Sequence, residues 1–139
     1  MNTPTWVLLA FAGWTLFILF STVGVYRWSR ILTGRATVSQ WQPGKPQGSE
    51  WYQRAMGAHR NCIENLPVYA AIVVAINASE VDSGTLDSLA LVLLAARIAQ
   101  SLVHICVPQS DTIATLRFVF FFIQILAMAW MGITVAIAS

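Results

Sequence analysis

Apolar residues dominate this chain in four long blocks, and polar residues gather between them. The first block runs from about Trp6 to Tyr26 without a charged side chain, long enough to cross a bilayer as a helix. A polar stretch with Pro and Gly punctuation follows at residues 33–53 and reads as a loop rather than a separate domain. A second helix begins near Trp51, polar in its first turns and apolar from there to about Ser79. Glu80, Asp82 and Asp87 flank a Ser83-Gly84 turn, and a third apolar block stops before Pro108, as helices tend to do ahead of proline. The last block runs from about Thr112 to Ala138. The pattern predicts an all-α membrane protein, a single domain over 1–139 with spans at about 6–27, 54–79, 86–107 and 112–138 and a loop at about 28–53.

Composition strengthens this reading. Of 139 residues, 57% are hydrophobic and 10% charged, against about a quarter charged in soluble domains. Mean hydropathy is +0.64. Cys62 and Cys106 have neither the number nor the spacing for a disulfide framework or a zinc site. No metal is expected, and nothing in the chain suggests a nucleic-acid partner. The residues before Trp6 lack a basic segment, so the first block is expected to be retained rather than cleaved.

Charge placement orients the spans. Arg27, Arg30, Arg35, Lys45, Arg54 and Arg60 cluster around the first connection, whereas the second is purely acidic. The positive-inside rule puts the first connection in the cytoplasm and both termini across the membrane.

Charges inside spans cost about 2.5–3.5 kcal/mol each on insertion scales and mark function by default. On the second helix, Arg60, Asn61 and Glu64 occupy adjoining parts of one face. On the third, Arg97, Gln100, Ser101 and His104 recur at i, i+3, i+4 and i+7 on an otherwise apolar helix. On the fourth, Arg117 and Gln124 are seven apart. With alternating helix directions, Glu64, the Arg97–His104 stripe and Arg117 fall in one half of the bilayer. Blander readings exist for single members. Arg60 and Arg117 are near enough to span ends to snorkel, Glu64 could pair with Arg60 or Arg97, and His104 could be a packed interfacial histidine. The Phe118, Phe120, Phe121 and Phe122 run reads as lipid-facing or packing surface. Arg97, about 16 Å from Pro108 at 1.5 Å per residue, is too deep to snorkel. Three arginines against one glutamate leave positive charge that an anionic ligand would balance, and arginine grips carboxylates or phosphates bidentately. The single glutamate could receive a ligand amine.

The run Arg54-Ala-Met-Gly-Ala-His59-Arg60-Asn61-Cys-Ile-Glu64-Asn65-Leu-Pro67 resembles the signature of the MAPEG superfamily, the membrane-associated proteins of eicosanoid and glutathione metabolism. Arg97-Ile-Ala-Gln100-Ser-Leu-Val-His104 is similar to that family's third-helix motif, and Arg117 to the arginine opening its fourth helix. The resemblance covers nearly the whole chain and points to the compact bacterial branch. It implies a homotrimer in the bacterial inner membrane, with glutathione as co-substrate between subunits near the cytoplasmic face and a lipophilic second substrate from the bilayer. Under it, His59, Arg60, Asn61, Glu64, Arg97 and His104 bind glutathione, Arg35 joins them from an adjacent subunit, and Arg117 is catalytic, favouring the thiolate. Gly57 stands where several animal members have arginine, which removes one glutathione contact; Gln100 replaces a histidine of prostaglandin E synthase, and Phe118 follows Arg117 where that synthase has a serine, which favours glutathione transferase or peroxidase activity over prostaglandin chemistry. Rival expectations are a non-catalytic scaffold of the same fold, a small four-helix transporter using Glu64, and a haem protein ligated by His59 and His104.

Overall fold

A computed structural model describes residues 1–41 and 48–138. Among these, four helices are long and apolar enough to span a membrane: α1 (Thr3–Leu32), α2 (Glu50–Ser79), α3 (Gly84–Cys106) and α4 (Asp111–Ala138). Consecutive helices run antiparallel. At the end carrying the N-terminus, the Asn2 amide donates to Asn77 Oδ1 at 2.9 Å. At the opposite end Arg54 Nε donates to the Ile105 carbonyl at 3.2 Å. These are the terminal end and the loop end of the bundle.

Local chemistry sets the helix boundaries. Asn2 caps α1 by accepting from Thr5 N at 3.0 Å, with Pro4 in the first turn. Ser49 caps α2 by accepting from Tyr52 N, and Ser83 caps α3 by accepting from Thr85 N. Glu80 closes α2 in the left-handed region at φ 55°. Within α2, Pro67 removes one backbone bond, a loss tolerated in membrane helices whose neighbours compensate.

Buried residues recur every three or four positions. Val7, Phe11, Thr15, Ile18 and Thr22 form the stripe on α1, and Tyr52, Ala55, Ala58, Cys62, Asn65, Tyr69, Val73 and Ile76 that on α2. Helices α3 and α4 pack most extensively, and α2 and α3 each touch all three others. About a third of each span's most apolar window is buried, and Phe17, Phe20, Phe118 and Trp130 stand exposed. Large apolar side chains facing outward all round suit lipid rather than water.

Two boundaries differ from the expected ones. α1 continues through Leu32, so Arg30 belongs to a helix instead of the loop expected from residue 28. A π-helical segment, Leu19–Gly24, precedes that extension. The extra turns persist because their polar side chains find partners: Arg27 Nε donates to Tyr52 Oη, and Tyr26 stacks on Tyr52 with centroids 4.4 Å apart. α2 begins at Glu50, four residues before the expected span. Between them lies a 3₁₀ turn at Val38–Gln40. Lys45, counted above among the loop charges, lies outside the described residues.

Candidate functional site

The loop half of α4 leaves the bundle. No residue from Asp111 to Ile123 is buried, and the buried stripe of this helix starts at Gln124. The opening is a cavity of about 230 Å³ lined by Asn61, Gln100, Ala114, Arg117, Phe118 and Phe121. Three helices therefore contribute to one site, as their polar stripes predict. Its floor is the bond from Gln124 Nε2 to Gln100 Oε1, 2.7 Å long and buried.

Arg97 lies behind this cavity, fully buried. Its Nη1 donates to Asn61 Oδ1 at 2.6 Å, and its guanidinium sits 5.6 Å from the Phe11 ring centroid. Cys62 Sγ is 3.9 Å from Nη1, and Ser101 Oγ is 3.6 Å from that sulfur. Asn61 is itself held by Asn65, whose amide donates to the Asn61 carbonyl at 2.8 Å. Asn61 thus connects the buried cation to the cavity wall. The Nε and Nη2 atoms of Arg97 and the Nε of Arg117 are buried without hydrogen-bond partners among the described residues. Unpartnered buried guanidinium nitrogens are costly, and no carboxylate among the described residues lines the cavity beside them. The donor set fits an anion.

His104 faces an adjoining cavity of about 310 Å³, which it lines with Glu50, Gln53, Arg54, Pro108 and Gln109. The charges of Arg117, Arg54 and Arg97 all act on its ring. Gly57 makes room for it, since a Cβ there would stand 3.1 Å from the imidazole.

The remaining expected site residues lie elsewhere. Glu64 is exposed and makes no ion pair or hydrogen bond with a described residue. The alternative reading, a pairing with Arg60 or Arg97, is therefore not met; Arg97 turns inward to Asn61, while Glu64, on an adjoining part of the same helix face, is exposed. Arg35 is exposed just beyond α1. His59 and Arg60 line a third cavity, with Arg27. Phe121 and Phe118, expected to be lipid-facing or packing surface, form a wall of the Arg117 cavity, although Phe118 is 62% exposed and stacks on Phe122.

Sequence reasoning missed two features. Nothing in the sequence singles out Phe11 as the platform for Arg97. The box around Arg27, formed by Tyr26, Trp41 and Tyr52, had a signal in its aromatic residues at the membrane boundary, where such residues concentrate.

A model of the MAPEG family matches residues 4–137. The chain belongs to the MAPEG family. Searches of curated proteins and of solved structures gave no match. As a MAPEG member with four spanning helices it is an integral, multi-pass membrane protein, and its family includes glutathione transferases and peroxidases.

Proposed function

We propose that this MAPEG protein is a membrane-embedded glutathione transferase or glutathione-dependent peroxidase acting on lipophilic electrophiles or hydroperoxides. The observation carrying this reading is the buried Arg97, with two unpartnered nitrogens, joined through Asn61 to a carboxylate-free cavity that Arg117 lines. Glutathione, with two carboxylates, an amine and a thiol, has the charge pattern such a donor set accepts. Arg97, Asn61 and Gln100 hold the tripeptide. Arg117 stabilises its thiolate, because a nearby cation lowers a thiol pKa. Phe118 and Phe121 offer the apolar wall along which the second substrate arrives from the bilayer.

In conjugation the thiolate attacks an electrophilic carbon, the C–S bond forms, and the leaving group departs with its bonding electrons. In peroxide reduction the sulfur attacks the hydroperoxide, the O–O bond breaks, and an alcohol leaves with a proton. A second glutathione then reduces the sulfenic acid to give a disulfide and water. Neither route draws on a metal. Glu64 and Arg35, exposed on a single chain, and His104, in the next cavity, complete the site in a homotrimer. The basic loop end faces the cytoplasm of a bacterial inner membrane, and the termini face the periplasm.

The test is turnover by purified, lipid-reconstituted protein given glutathione with a chlorinated nitroaromatic, and separately with an organic hydroperoxide. Turnover of either is expected. In Arg117→Ala, kcat should fall by about two orders of magnitude while the glutathione Kd changes little, the pattern of a contact made mainly in the transition state. No turnover with either substrate, or equal losses in binding and rate, would contradict the assignment.

A further inference from the structure

Helices α2 and α3 run past each other with their polar residues in step. Asn61 meets Arg97 at one level. Seven residues away on each helix, Arg54 meets the end of α3 beside His104, its Nε donating to the Ile105 carbonyl at 3.2 Å. Seven residues are two turns, so each helix returns to the same face about 10 Å nearer the loop end. Three residues of extended peptide cover about the same distance, at roughly 3.3–3.6 Å each. Gly57 lies between Arg54 and Asn61, and the His104 ring packs over it, 3.1 Å from where a Cβ would stand. The charges of Arg117, Arg97 and Arg54 all act on that ring. His104 therefore stands between the Arg117 cavity and the loop-end cavity of about 310 Å³.

The loop-end cavity differs from its neighbour in having a carboxylate, Glu50. Glu50 and Arg54 are four apart in α2, with the acid on the N-terminal side, a spacing that favours an ion pair along a helix. They form none. The bond to Ile105 turns Arg54 across to α3, and it leaves the Nη donors without a partner among the described residues. Glu50 is exposed and makes no ion pair or hydrogen bond with a described residue. Gln53, between them in sequence, is tied to the Gly48 carbonyl at 3.2 Å. One cavity thus holds a fixed cation and an acid that are kept apart. An ammonium and a carboxylate borne on one carbon match that pair, the carboxylate on the guanidinium fork and the ammonium on Glu50.

We infer that Glu50 and Arg54 recognise the α-amino-acid head of the thiol co-substrate, the free ammonium and carboxylate of its glutamyl end. This rests on the glutathione reading proposed above and adds a specificity to it. The sulfur lies at Arg117, the chain runs past His104, and the glutamyl head enters the loop-end cavity. Glu64, which lines neither cavity, is not needed for the ammonium and stays available to the amides of the tripeptide. A thiol without an amino-acid head loses both contacts, however well its sulfur sits against Arg117.

Calorimetric titration of the lipid-reconstituted protein with three ligands tests this. They are glutathione, glutaryl-cysteinylglycine, which lacks only the ammonium, and 4-aminobutyryl-cysteinylglycine, which lacks only the glutamyl carboxylate. Affinity should fall about fivefold without the ammonium and about tenfold without the carboxylate. Glu50→Gln should weaken glutathione about fivefold and leave the glutaryl ligand unchanged. Arg54→Gln should weaken glutathione but not the 4-aminobutyryl ligand, a selectivity that a merely structural arginine would not give. The ligand series and Glu50→Gln, at an exposed position, decide the matter even where Arg54→Gln fails to fold. Equal affinities for the three ligands, or variants that weaken all three alike, would overturn this inference, while a thiolate band at saturating glutathione would still uphold the functional reading. Failure of the unaltered protein to bind glutathione would overturn both.

Discussion

The two ends of the bundle are built on different terms. At the terminal end, Val7, Phe11, Tyr69, Ile76, Leu86, Leu93, Met131 and Val135 are all at most 5% exposed, and Tyr69 Oη donates to the Pro4 carbonyl at 2.7 Å. At the loop end, α4 contributes no buried residue before Gln124, and three cavities open among Arg27, Arg54, Arg97 and Arg117 or their neighbours. The Gln100–Gln124 hydrogen bond marks the border. One half is packed from apolar side chains, and its one cavity of about 410 Å³ among those described, at Val68, Ile72, Ile125 and Met128, is lined mostly by apolar residues; the other half keeps donors whose full complement of partners it does not supply. A bundle can hold such donors in lipid only where the rest of its packing fixes their positions.

This contrast can be attacked from either end. Leu93, fully buried at the terminal end, should cost about 3 kcal/mol when changed to Ala. Denaturant or thermal unfolding in detergent reads that loss, and activity per folded molecule should be kept. A loss of activity without a loss of stability would place function at the wrong end. Arg97→Met should do the reverse. Replacing a buried, incompletely partnered cation by an apolar side chain of similar length is expected to stabilise the ligand-free protein by about 1–2 kcal/mol. On the proposed reading glutathione should raise the melting temperature of the unaltered protein, and the same change should abolish that shift. A destabilised Arg97→Met would mean that Asn61 and Phe11 already satisfy the guanidinium.

Smaller effects sharpen the border. Gln124→Leu removes a buried donor from Gln100 and should cost about 1 kcal/mol, with glutathione affinity falling as Gln100 loses its orientation. Unchanged affinity would remove Gln100 from the binding set. Gly57→Ala places a Cβ 3.1 Å from the His104 ring, and the imidazole must shift by a few tenths of an ångström. Stability should change by about 0.5 kcal/mol or less, while the His104 NMR resonances move. Fixed resonances would show that the ring does not pack on α2.

Much of this layout is legible in the sequence. Four apolar blocks predict four spans, and the Arg97, Gln100, Ser101 and His104 stripe predicts the inward face of α3, because polar residues in an apolar helix mark the side away from lipid. For the same reason Asn61 and Arg117 could be placed with that stripe. The apolar stripes were not legible: in α1 and α4 nearly every residue is hydrophobic, so composition cannot separate Phe11, buried, from Phe17, exposed. Packing decides there, and packing depends on residues distant in sequence. Glu64 shows the opposite limit. Its spacing from Arg60 and Asn61 fits one helix face, but one helical turn covers enough arc for Asn61 to reach Arg97 while Glu64 faces outward. The helical extension to Leu32 was hidden because the partners that hold Arg27 there are distant in sequence, Trp41 in the connection and Tyr52 in α2.

The central claim is that the loop end activates a thiol through Arg117. Ultraviolet difference absorbance of glutathione thiolate, recorded at neutral pH as the reconstituted protein is titrated with glutathione, measures this without a choice of electrophile. A thiolate band that saturates with bound glutathione and is lost in Arg117→Ala, with binding retained, is the predicted result. Glutathione that binds without a thiolate band, or a band that survives in Arg117→Ala, would contradict it.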